Sequence, residues 1–165
     1  MKNGWSILVV SIALALIVFG IWVKQTLNKL CFNIKFGQLD TSNININWGY
    51  TSSGTVGSTI KLNVLNKSGV NLKIKVLSVT VLHESKLLAE LNQPTDVTIL
   101  ANSISQTELP VILTVSAQTV SAVMGYFSNE DLPISYKIKA SFYGIPFTIY
   151  KDKIINKSDS QTTCS

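Results

Sequence analysis

The sequence predicts an all-β domain, an antiparallel β-sandwich with one short late helix, preceded by a single N-terminal transmembrane helix. Residues 5–23 contain no charged side chain. After them, apolar and polar residues alternate in about seven short segments, which is the period of strands with one buried face. Within residues 117–127 the apolar residues recur three and four positions apart, as in a helix. Short strands without a strand–helix–strand rhythm favour a sandwich.

The uncharged run from Trp5 to Val23 predicts a membrane anchor within residues 1–25. As a helix it would be about 28 Å long, close to the roughly 30 Å hydrocarbon thickness of a bilayer. A cleaved signal peptide is the alternative, but its apolar part is shorter and ends in small residues, which this run lacks. We therefore expect an uncleaved signal-anchor and a single-pass membrane protein. The residues expected to contact lipid include Trp5, Leu8, Leu14, Phe19 and Trp22, with a tryptophan near each interface.

The side of the membrane that the following domain faces is left open by the charges. Lys24, Lys29 and Lys35 outnumber Lys2, which favours keeping the C-terminal side inside. Long domains cross the membrane with little regard for such charges. Both orientations therefore remain possible.

The residues after the anchor divide into a juxtamembrane connector at 26–41, a β-sandwich at 42–155 and a polar tail at 156–165. In the connector, Leu27, Leu30 and Ile34 are expected to extend the helix until Gly37 ends it. The apolar face of the third strand changes from even to odd positions near Val76, which predicts a β-bulge between Val76 and Ser78. Strands are predicted at 42–50, 58–66, 70–82, 86–91, 96–100, 108–116, 134–142 and 145–149.

Two features of the later strands are specific. Pro110 lies early in the strand at 108–116 and predicts an edge or a strand start, because proline cannot donate to a ladder. The helix at 117–127 is expected to bury the stripe formed by Val120, Val123, Met124 and Phe127.

The charge composition weakens the case for a phosphate-binding function. All 14 basic residues are lysines, and the net charge is +5. Without arginine the chain has no guanidinium group to form paired hydrogen bonds with a phosphate or a guanine, so specific nucleic-acid binding is not expected. The pairs Lys73/Lys75 and Lys137/Lys139 each point to the outer face of a strand. They form a possible basic surface for anionic lipid, or they simply solubilise the sheet.

The two cysteines lie at opposite ends of the domain. Cys31 follows the anchor and Cys164 lies next to the C-terminus, and neither belongs to a metal or redox motif. We expect two unpaired thiols, with a single bridge as the alternative.

No catalytic, cofactor-binding or metal-binding residue is predicted. His83, beside Glu84, is the only histidine and has no nucleophile or second imidazole to act with. Glu130 and Asp131 lack the spacing of a calcium loop. Asn66 and Asn156 each begin a glycosylation acceptor pattern, and whether either asparagine is glycosylated depends on the host.

The order of elements in residues 42–155 resembles the LEA14-like, or water-stress-hypersensitivity (WHy), domain. The resemblance rests on Ile60 to Asn66 with the long strand after it, on Ile99 to Asn102, and on Tyr136 to Ala140 closing on Ile145-Pro146-Phe147. Asn66-Lys67-Ser68 keeps the first residue of the family's Asn-Pro-Asn turn and lacks its proline. The resemblance implies a fibronectin-III- or immunoglobulin-like sandwich and a non-enzymatic module linked to stress protection, lipid or partner contact.

The sequence thus predicts a non-enzymatic, membrane-anchored binding or structural module. Its expected contact is the lipid bilayer, through the N-terminal helix, and a protein partner of unspecified identity is also expected. The alternative is a structural membrane-protein subunit of a larger assembly, such as a lipid-containing virion.

Overall fold

The computed structural model describes residues 2–47, 53–91 and 93–156 of the 165-residue chain. Several predicted features lie outside these residues: the end of the first predicted strand at 48–50, the tail at 157–165 and Cys164. The side chain of Trp5 is likewise outside the described part. The predictions for the strand end, the tail and the lipid contact of Trp5 stay untested.

The N-terminal helix α1 extends from Lys2 to Asn28. Its side chains from Leu8 to Trp22 are exposed around the whole circumference, whereas Val23 and Thr26 are buried. Only Lys29 separates α1 from the first strand, and its N–H donates to Thr26 O at 3.1 Å. The apolar helix is therefore joined to the β domain without a linker.

The described residues form eight strands and a second helix, α2, which extends from Ala117 to Phe127. The strands pair antiparallel in one nearly closed sheet in the order β1-β2-β6-β4-β3-β7-β8, and β5 pairs with β3 beside β4. The strands are β1 (Leu30–Asn47), β2 (Ser53–Asn66), β3 (Leu72–His83), β4 (Lys86–Leu91), β5 (Thr95–Ile99), β6 (Ser103–Val115), β7 (Leu132–Phe142) and β8 (Ile145–Ile155).

Side chains bridge the gap between β1 and β8, the two ends of the strand order. The Phe32 and Phe147 rings lie 6.4 Å apart, and Lys153 Nζ donates to Asn33 Oδ1 at 2.7 Å. Tyr136 on β7 donates its hydroxyl to Phe32 O at 2.9 Å. These contacts hold the two ends of the strand order together, so that the sheet encloses one apolar core.

The prediction of a connector at 26–41 is wrong, because residues 30–41 belong to β1. Phe32, Ile34 and Phe36 alternate with polar residues and are buried, and the chain pairs with β2 from Leu30↔Asn66 onward. Strand pairing along β2 therefore replaces the expected helical extension.

The predicted bulge in the third strand is confirmed. Leu72, Ile74 and Val76 are buried, then Val79 and Val81, and the pairing with β7 shifts between Val76 and Ser78. The extra residue lets both apolar runs face the same core.

Pro110 lies inside β6 and pairs with Thr59 of β2, so the prediction of an edge or strand start is wrong. The β4 ladder on the other side of β6 begins only at Val111. The flank of Pro110 that faces β4 therefore lies beyond the described pairs.

The predicted helix at 117–127 is confirmed, but its buried face differs. Thr119 and Tyr126 are buried, while Val120 and Met124 are exposed. Thr119 can face inward because its hydroxyl donates to Thr114 O at 2.6 Å, and Ser116 caps the helix by accepting from the Thr119 N–H.

Candidate functional site

One end of the β domain, here called the proximal end, brings the last turn of α1 beside three turns between strands. These turns are residues 67–71, 100–102 and 143–144. The pairs Leu30↔Asn66, Asn66↔Ser103 and Ile74↔Phe142 place them at the same end of the sheet. The distal end carries the turn at 84–85, the loop at 128–131 and the end of β8.

The helix α1 packs against the proximal end through its last turns. The Trp22 ring lies 6.1 Å from the ring of Phe142, which lies 4.6 Å from the ring of Tyr143. Val23 belongs to the core cluster of the β domain, and the Lys67 N–H donates to Lys29 O at 3.0 Å. The direction of the helix is therefore set by the domain.

A buried asparagine connects the turns of the proximal end. Asn66 Nδ2 donates to Val70 O at 2.9 Å and to Leu100 O at 3.0 Å. Its Oδ1 accepts from the Ser68 N–H at 2.8 Å and from the Ser68 hydroxyl at 2.6 Å. Because the amide is buried with these partners, Asn66 cannot carry a glycan in the folded protein. Sequence reasoning noted this residue only as part of a turn and of a glycosylation pattern.

A cleft of about 720 Å³ lies between the last two turns of α1 and the edges formed by β1 and β8. Its wall is mainly apolar, and lysines stand at several points around it. The lining includes Gly20, Val23, Leu27, Leu30, Phe147 and Ile149, with Lys24, Lys29, Lys67 and Lys151. The cleft thus combines an apolar wall with four lysines.

Cys31 lines the same cleft and is disulfide-bonded. The expectation of two unpaired thiols is therefore wrong. The sequence contains one other cysteine, Cys164, which lies outside the described residues. The spacing along the sequence did not reveal this bond, because the first strand was expected to begin after Cys31.

The four lysines of the predicted basic surface are exposed on neighbouring strands. Lys73 and Lys75 lie on β3, while Lys137 and Lys139 lie on β7, which pairs with β3. The register places Asp96 opposite Lys75 and Glu90 opposite Thr80 on the same face. The lysines thus share a face with acidic side chains, and a lipid-binding role for them stays a prediction.

The other residues weighed from the sequence lie at the distal end. His83 Nδ1 is 2.8 Å from Pro133 O, and Asp131 Oδ1 accepts from Asn156 Nδ2 at 3.0 Å. Glu84 and Glu130 are exposed. Within the described ranges, no group of three or more His, Cys, Asp or Glu side chains is placed to hold a metal ion.

Two tyrosine hydroxyls are buried against β1. Burial raises the pKa of Tyr136 to about 12. Burial also raises the pKa of Tyr126. The Tyr126 hydroxyl donates to Phe36 O at 3.3 Å, a bond that only the protonated phenol can make. Both phenols therefore remain protonated across the physiological range and act as structural donors.

Comparisons with known proteins do not identify a family. No protein-family profile matches the chain, and no curated protein matches it. A crystal structure of a protein from Archaeoglobus fulgidus is 12% identical, covers 76% of this chain and 95% of its own, and has a TM-score of 0.37. The solution structure of AT1g01470 from Arabidopsis thaliana is 13% identical, covers 78% and 87%, and has a TM-score of 0.33. Both are distant matches to a β-rich fold.

Proposed function

We propose that this chain is a single-pass membrane protein whose β domain is a non-enzymatic binding or structural module held at the membrane surface. The observation that carries the proposal is the surface of α1. Within Leu8–Asn28, an 18-residue window has a mean hydropathy of 2.1, and 6% of that window is buried. A helix that is apolar on all sides and exposed requires an apolar solvent.

Two other interpretations of such a helix are less well supported. The core helix of a soluble protein would be largely buried, whereas the side chains of α1 are exposed from Leu8 to Trp22. A cleaved signal sequence would be removed before the domain folds. Here Val23 and Thr26 are buried against the β domain, so the end of the helix contributes to the folded protein.

We further propose that the β domain is a LEA14/WHy-like sandwich of the fibronectin-III or immunoglobulin type, with a stress-protective or partner-binding role. The order of its strands, the long bulged β3 and the single late helix support this assignment. The buried amide of Asn66 also gives a structural reason for an asparagine at the first position of the family's turn.

A second candidate is a structural subunit of a larger assembly, such as a lipid-containing virion. The direct junction between α1 and β1 favours it. A subunit that must contact its neighbours at one height needs a fixed orientation, and one residue between helix and strand provides this.

Alkaline carbonate extraction of membranes from cells that express the full chain tests the anchor. We expect the protein in the pellet with its N-terminus intact by mass spectrometry. Replacing Leu14 and Ile17 with lysine should release it, because each charge at a helix centre costs about 2.5–3.5 kcal/mol on insertion. The matched variant with alanine at both positions should stay in the pellet. Release of the parental chain, or loss of residues 1–25, would contradict the proposal.

Quantitative cross-linking of the intact membranes separates the two candidates. A binding module should be found largely as a monomer, with cross-links that depend on its partner. An assembly subunit should give cross-links to the same neighbours in a fixed ratio. A reproducible catalytic turnover of any substrate by the purified chain would contradict both.

A further inference from the structure

The proximal end presents apolar side chains at the tips of its turns. The exposed fractions are 74% for Tyr143, 54% for Leu100 and 44% for Val70. Single exposed apolar residues are ordinary, but here three separate turns present one at the end where α1 meets the domain. Tyr143 has φ of 49° in its hairpin turn, where asparagine or glycine is favoured. The turn itself therefore does not explain the tyrosine.

Two of the three tips, Val70 and Leu100, lie in turns that hydrogen bonds hold together. Asn66 Nδ2 joins the carbonyls of Val70 and Leu100, and the Ala101 N–H donates to Asn71 Oδ1 at 2.7 Å. The Asn102 N–H also donates to Ser68 O at 3.2 Å. A rigid surface loses little conformational entropy when it binds a partner or a membrane. These hydrogen bonds therefore lower the cost of binding through the apolar tips.

The charges at this end have one sign. Lys24, Lys29 and Lys67 are exposed, and the described residues of α1 after Gly20 and of the three turns include no aspartate or glutamate. The turn at 84–85 and the loop at 128–131, at the distal end, carry Glu84, Glu130 and Asp131. The turns at the proximal end thus carry only basic charged residues, whereas the distal turn and loop carry acidic ones, with Lys86 beside that turn and Lys153 near the end of β8.

The span places this end at the depth of the lipid head groups. Trp22 lies at the end of the apolar run, where tryptophan rings favour the membrane–water interface. Its ring contacts Phe142, the neighbour of Tyr143. The tips of the three turns therefore lie beside the interfacial part of the helix.

We propose that the proximal end is a second membrane-binding surface, in which Tyr143, Leu100 and Val70 enter the head-group region while Lys24, Lys29 and Lys67 bind anionic phospholipid. This proposal rests on the proposed membrane anchor. It assigns the lipid contact to the turns at the end of the domain and not to the lysines on the outer face of β3 and β7.

Photo-crosslinking of the full chain in vesicles tests the proposal. A p-benzoylphenylalanine is placed at position 100 or 143, and in a control at position 87, where Leu87 is exposed near the distal turn. The vesicles contain phosphatidylcholine alone or with phosphatidylserine. We expect lipid adducts at positions 100 and 143 and none at 87. In the mixed vesicles the adducts should favour phosphatidylserine by about fivefold for each lysine that contributes.

Two sets of lysine variants locate the charges. Replacing Lys24, Lys29 and Lys67 with glutamine should abolish the preference for phosphatidylserine. Replacing Lys73, Lys75, Lys137 and Lys139 with glutamine should leave it unchanged. Loss of the preference in the second set alone would overturn the assignment of the charges.

Carbonate extraction of the same vesicles keeps the two proposals apart. If the chain stays in the pellet but positions 100 and 143 give no lipid adducts, the second membrane-binding surface is refuted and the anchor stands. Adducts to a second protein chain at these positions refute it equally. If the chain is extracted, the anchor itself fails.

Discussion

The proximal and distal ends of the β domain are both formed by turns and loops between regular elements, yet these turns and loops differ in chemistry. The proximal turns present Val70, Leu100 and Tyr143 beside exposed lysines. The distal turns and loop present Glu84, Glu130 and Asp131. Sheet geometry does not require this difference, so it indicates that the two ends meet different surroundings.

The two ends also differ in what holds them together. The proximal end has the disulfide at Cys31 and the buried amide of Asn66, which joins turns that are 34 residues apart in sequence. The distal end depends on the capped helix α2 and on ordinary strand pairing. If this comparison is right, changes at the proximal end should cost more stability.

The largest effect is expected from the disulfide. Replacing Cys31 with serine should lower the free energy of unfolding by about 2–5 kcal/mol, because the unfolded chain loses a long-range constraint. Denaturant unfolding of the full chain in detergent, followed by near-ultraviolet circular dichroism, measures this. The Cys164→Ser variant should match it if the bond is within the chain, and the denatured parental protein should show no titratable thiol. Equal stability of parent and variants without reductant would contradict the comparison.

The second effect separates the two ends directly. Asn66→Ala should cost about 3 kcal/mol, because several buried hydrogen-bonding groups lose their partner. Ser116→Ala removes the cap of α2 at the end of β6 and should cost about 1 kcal/mol. The same unfolding assay compares them. A larger loss for Ser116→Ala would reverse our ranking of the two ends.

A third substitution, Tyr136→Phe, tests the core between the two ends, and its effect on stability depends on pH. Tyr136→Phe should cost about 1 kcal/mol at neutral pH, through the lost bond to Phe32 O. The folded-state pKa of Tyr136, about 12, exceeds the ordinary value of 10.0. The parental protein should therefore keep this contribution below pH 10 and lose it as the pH rises toward 12.

The Tyr136→Phe variant should show a smaller alkaline decrease in stability than the parental protein. Tyr150→Phe, on the exposed side of β8, provides the control and should behave as the parent does. Identical profiles of stability against alkaline pH for all three proteins would show that the bond from the Tyr136 hydroxyl to β1 does not stabilise the fold.

The smallest effect is expected on the outer face. Lys61 Nζ lies 3.5 Å from Glu108 Oε1, and both side chains are substantially exposed. Lys61→Gln should therefore change the free energy of unfolding by no more than about 0.5 kcal/mol. A loss above about 1 kcal/mol would mean that charges on the sheet face, and not only those at the ends, matter to the fold.

Sequence alternation predicted most of the strands because each has one buried face. It also predicted the bulge in β3, since a change of phase along one strand needs an extra residue. The start of β1 was missed although Phe32, Ile34 and Phe36 alternate, because the apolar helix before them favoured a helical interpretation. The buried face of α2 was missed because Thr119 is polar, and only the structure reveals the Thr114 carbonyl that satisfies its hydroxyl.

The candidate surface was only partly accessible from the sequence. Alternation correctly placed the outer-face lysines, because side-chain direction within a strand is local. The group formed by Val70, Leu100 and Tyr143 depends on pairing between strands that are far apart in the chain. The disulfide at Cys31 depends on the same long-range arrangement, and neither has a local signal.

The single residue between α1 and β1 gives the domain a fixed reach. A flexible linker would let a domain of this size sample many positions above a bilayer. Here β7, with 11 residues at about 3.3 Å each, extends at most about 36 Å from the proximal turns. If α1 spans a membrane as proposed, the distal end of β7 stays within that distance of the bilayer surface, and a partner that binds there must come as close to the membrane.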